Sequence, residues 1–71
     1  MDILILKTNI KSNYDFTSVK EKLKRTYDLQ ECTIDLEDRD KVMRVIGNNI
    51  NLDEIAGDVK NYGFVCEELV D

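Results

Sequence analysis

Seventy-one residues allow one domain at most, and a chain of this size buries only about 60% of the surface it exposes when unfolded. Hydrophobic residues make up 42% and charged residues 35%, a balance that excludes a disordered chain, and no apolar run approaches the ~20 residues that span a bilayer. The net charge of −5 argues against a nucleic acid partner, and the absence of histidine removes the commonest acid–base catalyst and metal ligand.

The opening Met1-Asp2-Ile3-Leu4-Ile5-Leu6 carries an acid in place of a basic leader and has no small-residue cleavage site, so no signal peptide and a cytoplasmic location are expected. Ile3 to Leu6 is apolar on both faces and predicts a central strand near 2–9. From Phe16 the period changes: Phe16, Val19, Leu23 and Tyr27 form one stripe of an amphipathic helix near 16–27. Asp15 can cap it; so can Ser18, which forms a capping box with Glu21. Cys32, Ile34 and Leu36 alternate with Thr33, Asp35 and Glu37, a half-buried strand near 31–38, and Glu37 to Asp40 suits a hairpin turn.

In a third strand near 41–47, Met43 and Val45 point inward, because the opposite register would bury Arg44. Asn51 then caps a second helix near 52–62, with Glu54 at its third position and Leu52, Ile55, Ala56 and Val59 on its buried face. Gly63 ends it in left-handed geometry. Gly57 weakens this helix by about 1 kcal/mol relative to alanine, which close packing would explain. A last strand near 64–70 completes the order β-α-β-β-α-β. This predicts an α+β, ferredoxin-like sandwich: a four-stranded antiparallel sheet in order 4-1-3-2 with both helices on one face. Its core should comprise Leu4, Leu6, Val19, Leu23, Ile34, Leu36, Met43, Val45, Ile55 and Val59.

Three segments carry a family likeness: Leu29-Gln30-Glu31-Cys32-Thr33-Ile34-Asp35-Leu36, Val42-Met43-Arg44-Val45-Ile46-Gly47, and Leu52-x-x-Ile55-x-x-x-Val59-x-x-x-Gly63-Phe64. In this order they resemble the heavy-metal-associated domain, the fold of small copper chaperones and of the N-terminal domains of copper-transporting ATPases. Asp28 stands where that family usually has glycine, and Asp accepts left-handed turn geometry. The family's loop reads Met-x-Cys-x-x-Cys, and its two thiolates hold a soft metal ion. Aligning Val19 and Leu23 with the family's helix puts Ile10 at the methionine and Ser12 and Asp15 at the two cysteines. The resemblance therefore implies the frame of a metal carrier without its metal hook.

Soft ions bind oxygen poorly, and two oxygen donors fall short of the 6–8 that calcium takes, so no metal and no cofactor are expected at Ser12 and Asp15. These two residues read as turn and helix-capping groups. Nucleophilic catalysis lacks an adjacent base, so the chain reads as no enzyme. An RNA-recognition domain shares the fold but stacks bases on aromatics in its central strands, which here are aliphatic.

A binding module remains. Residues 1–25 hold six bases against three acids, whereas 26–71 hold four against twelve. The resemblance implies docking of a basic face on an acidic partner domain, for which Lys11, Lys20 and Lys24 are candidates, with Tyr14 as an aromatic anchor at the loop tip. The alternative is a heavy-metal binding or transport accessory protein that uses non-standard or partner-supplied ligands. Val42 and Ile46 should face away from the helices beside Ile3 and Ile5, with Val65 adjoining. Such a patch on the open sheet face suits a homodimer or a seat for another partner. Cys32 and Cys66 should be buried, reduced and far apart on opposite edge strands.

Overall fold

The structure is a computed structural model that describes residues 1–70. Its elements are β1 (Asp2–Thr8), α1 (Asn13–Thr26), β2 (Asp28–Ile34), β3 (Met43–Asn48), α2 (Leu52–Asn61) and β4 (Cys66–Glu68). All strand pairings are antiparallel, and the sheet runs β2-β3-β1-β4, the expected order read from the other edge. With both helices on one face, this is the ferredoxin-like arrangement.

Strand alternation sets the core. Leu6, Cys32, Met43, Val45 and Cys66 all point to the helix layer, where they meet Val19 and Leu23 of α1 and Ile55, Ala56 and Val59 of α2. Ile10 and Ile50, from the segments leading into the two helices, close the core at its ends and are also buried. Leu4, Ile34 and Leu36 are only half-buried, packed against this cluster from outside.

Several boundaries depart from expectation, each for a local reason. Helix α1 is capped by neither Asp15 nor Ser18. Ser12 has extended backbone (φ −129°, ψ 155°), and its hydroxyl accepts the Asp15 N–H at 3.1 Å, so the helix begins at Asn13. Fully buried Ile10 anchors the chain just upstream and makes this the first place where it can turn. At the other end Tyr27 is already extended (φ −123°, ψ 154°) and leads straight into β2 at Asp28. The left-handed turn expected at Asp28 is therefore absent. Only Lys41, Asn49 and Gly63 have positive φ among the described residues, and the Asp28 carboxylate instead accepts the Asn48 side-chain N–H at 3.1 Å.

Strand β2 also ends early. The Asp35 carboxylate accepts the N–H groups of Glu37 and Asp38, at 3.1 and 3.2 Å, and this turn lifts Leu36 out of the sheet. Strand β4 starts at Cys66 because the Val65 N–H bonds the Asn9 side-chain oxygen at 2.8 Å, a side-chain contact in place of a ladder bond.

In α2, Asn51 caps as expected, accepting the Glu54 N–H at 3.2 Å, and Gly63 exits with φ 101°. Gly57 is not explained by close packing, since a Cβ built there meets nothing within 4 Å. Gly57→Ala should therefore raise stability by about 0.5–1 kcal/mol, by removing the entropic cost of a helical glycine. A rise in the urea midpoint with an unchanged slope would register it.

Candidate functional site

The segment between β1 and α1 is held from both sides. The Thr8 N–H donates to the Asp40 carbonyl at 3.0 Å, and the Thr8 hydroxyl donates to the Lys41 carbonyl at 2.8 Å. The same hydroxyl accepts the Ile10 N–H at 3.2 Å, so this nearly buried polar side chain is fully used. Lys41 presents its carbonyl from a left-handed backbone (φ 45°), while its ammonium donates to the carbonyls of Leu36, at 2.9 Å, and Asp38, at 3.3 Å. Asn9 ties the opposite side to Val65. The loop is thus a clamped crossing, with Ile10 plugged into the core beneath it.

Ser12 and Asp15 are joined across the first helical turn by the bond from the Asp15 N–H to the Ser12 hydroxyl. Their chemistry does not fit a soft ion. The Ser12 oxygen is neutral and already accepts a backbone N–H, and Asp15 adds one hard carboxylate. Among the described residues no group of three or more histidine, cysteine, aspartate or glutamate side chains could hold a metal.

The thiols lie elsewhere. Cys32 and Cys66 are free and buried on the two outer strands, three strand spacings apart, which is about 14 Å at ~4.8 Å per spacing. Burial pushes each thiol up to about 11. For Cys32 the nearby Lys20 and Lys24 ammoniums oppose that rise, and for Cys66 Lys60 opposes it while Glu67 adds to it. Each folded-state value lies above its unfolded one, so the stabilisation is intact below about pH 9 and is lost as pH climbs towards 11. Two units per thiol correspond to roughly 2–3 kcal/mol. Denaturant midpoints should fall between about pH 9 and 11, and Cys32→Ala with Cys66→Ala should flatten that fall. An undiminished fall in the double variant would acquit the thiols.

No family model, curated protein or solved structure matches the chain.

The candidate docking residues all lie on the solvent side of the α1 region, but they do not form one stripe. Lys11 is exposed in the loop, and Tyr14 is 84% exposed in the first turn of α1 rather than at a loop tip. At 100° per residue, Lys20 and Lys24 fall on the flank that overhangs β2, whereas Tyr14 stands on the crest of the helix. Tyr14 forms one wall of a shallow, open groove with Asn13, Thr17, Ser18 and Glu21. Lys20 lies over the Phe16 ring at 5.9 Å, and Lys24 is exposed. None of Lys11, Lys20 and Lys24 takes part in the ion pairs found among the described residues, Lys7–Glu67 and Arg44–Glu31.

Sequence reasoning missed the contacts on the opposite flank. The Tyr27 hydroxyl donates to the Asp58 carboxylate at 2.5 Å, and Lys22 sits 4.7 Å from the centre of the Tyr62 ring. Together they tie α1 to α2 and commit Lys22 to the domain's own structure. Burial, then the Asp58 hydrogen bond, drives the Tyr27 hydroxyl far above its ordinary range. No periodicity marks such a pair; only the helix crossing brings them together.

Proposed function

We propose that this chain is a small, non-catalytic protein-interaction module, with the frame of a heavy-metal-associated domain but no soft-metal binding. It docks an acidic face of another protein domain through Lys11, Tyr14, Lys20 and Lys24. The observation that carries the reading is the use of the two metal-loop positions: Ser12 caps α1 with Asp15 as its N–H donor, and both cysteines are buried in the core. Support for docking comes from an almost fully exposed aromatic ring in the same region as three lysines outside the ion pairs. Two free thiols suit a reducing compartment such as the cytoplasm.

The test has two arms. In a copper(I) titration against a competing chelator, the wild-type chain should retain no metal at micromolar concentration. A bound equivalent of copper would overturn the metal-free reading and favour unconventional ligands. In the second arm, a short polyglutamate peptide at low salt should shift backbone NMR signals between Lys11 and Lys24. Lys20→Glu with Lys24→Glu should abolish the shifts. Shifts scattered over the whole surface, or none at all, would refute docking at this face.

A further inference from the structure

We infer that the open face of the sheet is a self-association surface, and that its occupant is a second copy of this chain. The face is built by the residues that alternate with the core positions. Ile3 of β1 lies opposite Ile46 of β3, and Ile5 lies opposite Arg44. Leu69, just past β4, donates its N–H to the Ile5 carbonyl at 3.1 Å and so extends the row on that side. Ile3, Ile5, Ile46 and Leu69 therefore form one contiguous aliphatic area, with Ile3 55% exposed and the other three half-buried. Neither helix covers them, since both helices pack on the other side.

Charge selects the occupant. The aliphatic area is bordered by two ion pairs on the same face: Lys7–Glu67 at 3.1 Å and Arg44–Glu31 at 3.7 Å. Two positive and two negative groups cancel, and only Asp28, bonded to Asn48 at the β2 corner of the face, adds an uncompensated charge, so most of the net −5 of the chain resides on the rest of its surface. A strongly acidic or strongly basic partner gains little electrostatic selection from such a face. A second copy does: turned by a two-fold rotation, it offers a carboxylate for each cation and a cation for each carboxylate. The Arg44–Glu31 contact uses only the guanidinium Nε and one carboxylate oxygen, which leaves donors and an acceptor for reciprocal contacts. Facing these weakly charged surfaces also keeps most of each chain's negative charge on the outer sides of the pair.

Size sets the strength. A standard interface takes about 800 Å² from each partner, roughly a sixth of the 4600 Å² this domain exposes. A four-stranded face of this size approaches that area only if nearly all of it is used. The dimer should be weak, with a dissociation constant on the order of 100 µM.

Sedimentation equilibrium of the whole chain from 10 µM to 1 mM should show a monomer–dimer equilibrium. Ile46→Lys should weaken it at least tenfold, while Lys60→Gln on the helix side should leave it unchanged. A dilution series followed by amide NMR of the wild type gives an independent reading, with shifts centred on Ile3, Ile5, Ile46 and Leu69. A chain that stays monomeric at 1 mM would overturn the proposal. So would a dimer that survives Ile46→Lys, or dilution shifts confined to α1.

Discussion

Gly47→Ala is expected to cost at least about 3 kcal/mol, enough to leave a domain of this size unfolded or barely folded. Gly47 lies on the helix side of β3, paired with Leu29 of β2 and Asp2 of β1. A Cβ added there would lie 2.4 Å from the Asp28 carbonyl oxygen, 3.0 Å from Leu29 Cδ2 and 3.2 Å from Leu29 Cα. Two of these three atoms are backbone and cannot rotate away. The crowding follows from the direct passage of α1 into β2: with only Tyr27 between helix and strand, the chain must cross close over β3. The irregular pairing between Leu29 and Glu31 lies beside the crossing and shows where β2 bends. Thermal unfolding should fall by more than about 12 °C at 4–8 °C per kcal/mol. Gly57→Ala, the same chemical change in open space, should move the opposite way. A Gly47→Ala variant as stable as wild type would mean that β2 and β3 do not pair in this register.

The second large effect is a gain of chemistry. Ser12→Cys with Asp15→Cys should confer binding of a single equivalent of copper(I) at micromolar concentration. The two positions sit three residues apart on the first turn of α1, with the Ser12 side chain folded over that turn towards the Asp15 N–H. Thiolates satisfy the preference of a soft ion, and the helix N-terminus favours their ionised form. Fully buried Ile10 and the hydrogen bonds of Thr8 should hold the loop while the cap is replaced. Loss of the serine cap costs about 1 kcal/mol, a deficit that bound metal should offset. Each single variant should bind far more weakly, having one soft ligand only. A folded double variant that ignores copper would show that the loop does not present these positions as a chelating loop does.

Much of the fold was legible because alternation and helical period act on every residue of an element. Burying Arg44 was the alternative to burying Met43 and Val45, and that decided the register of β3 without any long-range information. The ends of α1 and β2 were less legible because they depend on contacts between distant segments. Ser12, Asp15 and Ser18 are all competent caps, and only the burial of Ile10 selects among them. Asp28 suits a turn as well as a strand, and its pairing with Asn48 decides in favour of the strand. At the candidate site, the chemical poverty of Ser12 and Asp15 was plain from residue type. The separation of Tyr14 on the crest from Lys20 and Lys24 on the flank needed the true start of α1.

The brevity of β4 bears on how the two thiols behave in time. Static burial makes Cys32 and Cys66 look equivalent, at 2% and 0% exposure. Cys32 lies within a seven-residue strand overhung by α1, whereas Cys66 opens a three-residue strand that pairs with β1 alone. Releasing β4 breaks few ladder bonds and leaves β2, β3 and most of β1 paired, so Cys66 can meet solvent through a local opening. Cys32 has no comparable partial route. An alkylating reagent should therefore read two clocks in one small protein: a faster one at Cys66 that reports the detachment of an edge, and a slower one at Cys32 set by unfolding of the whole.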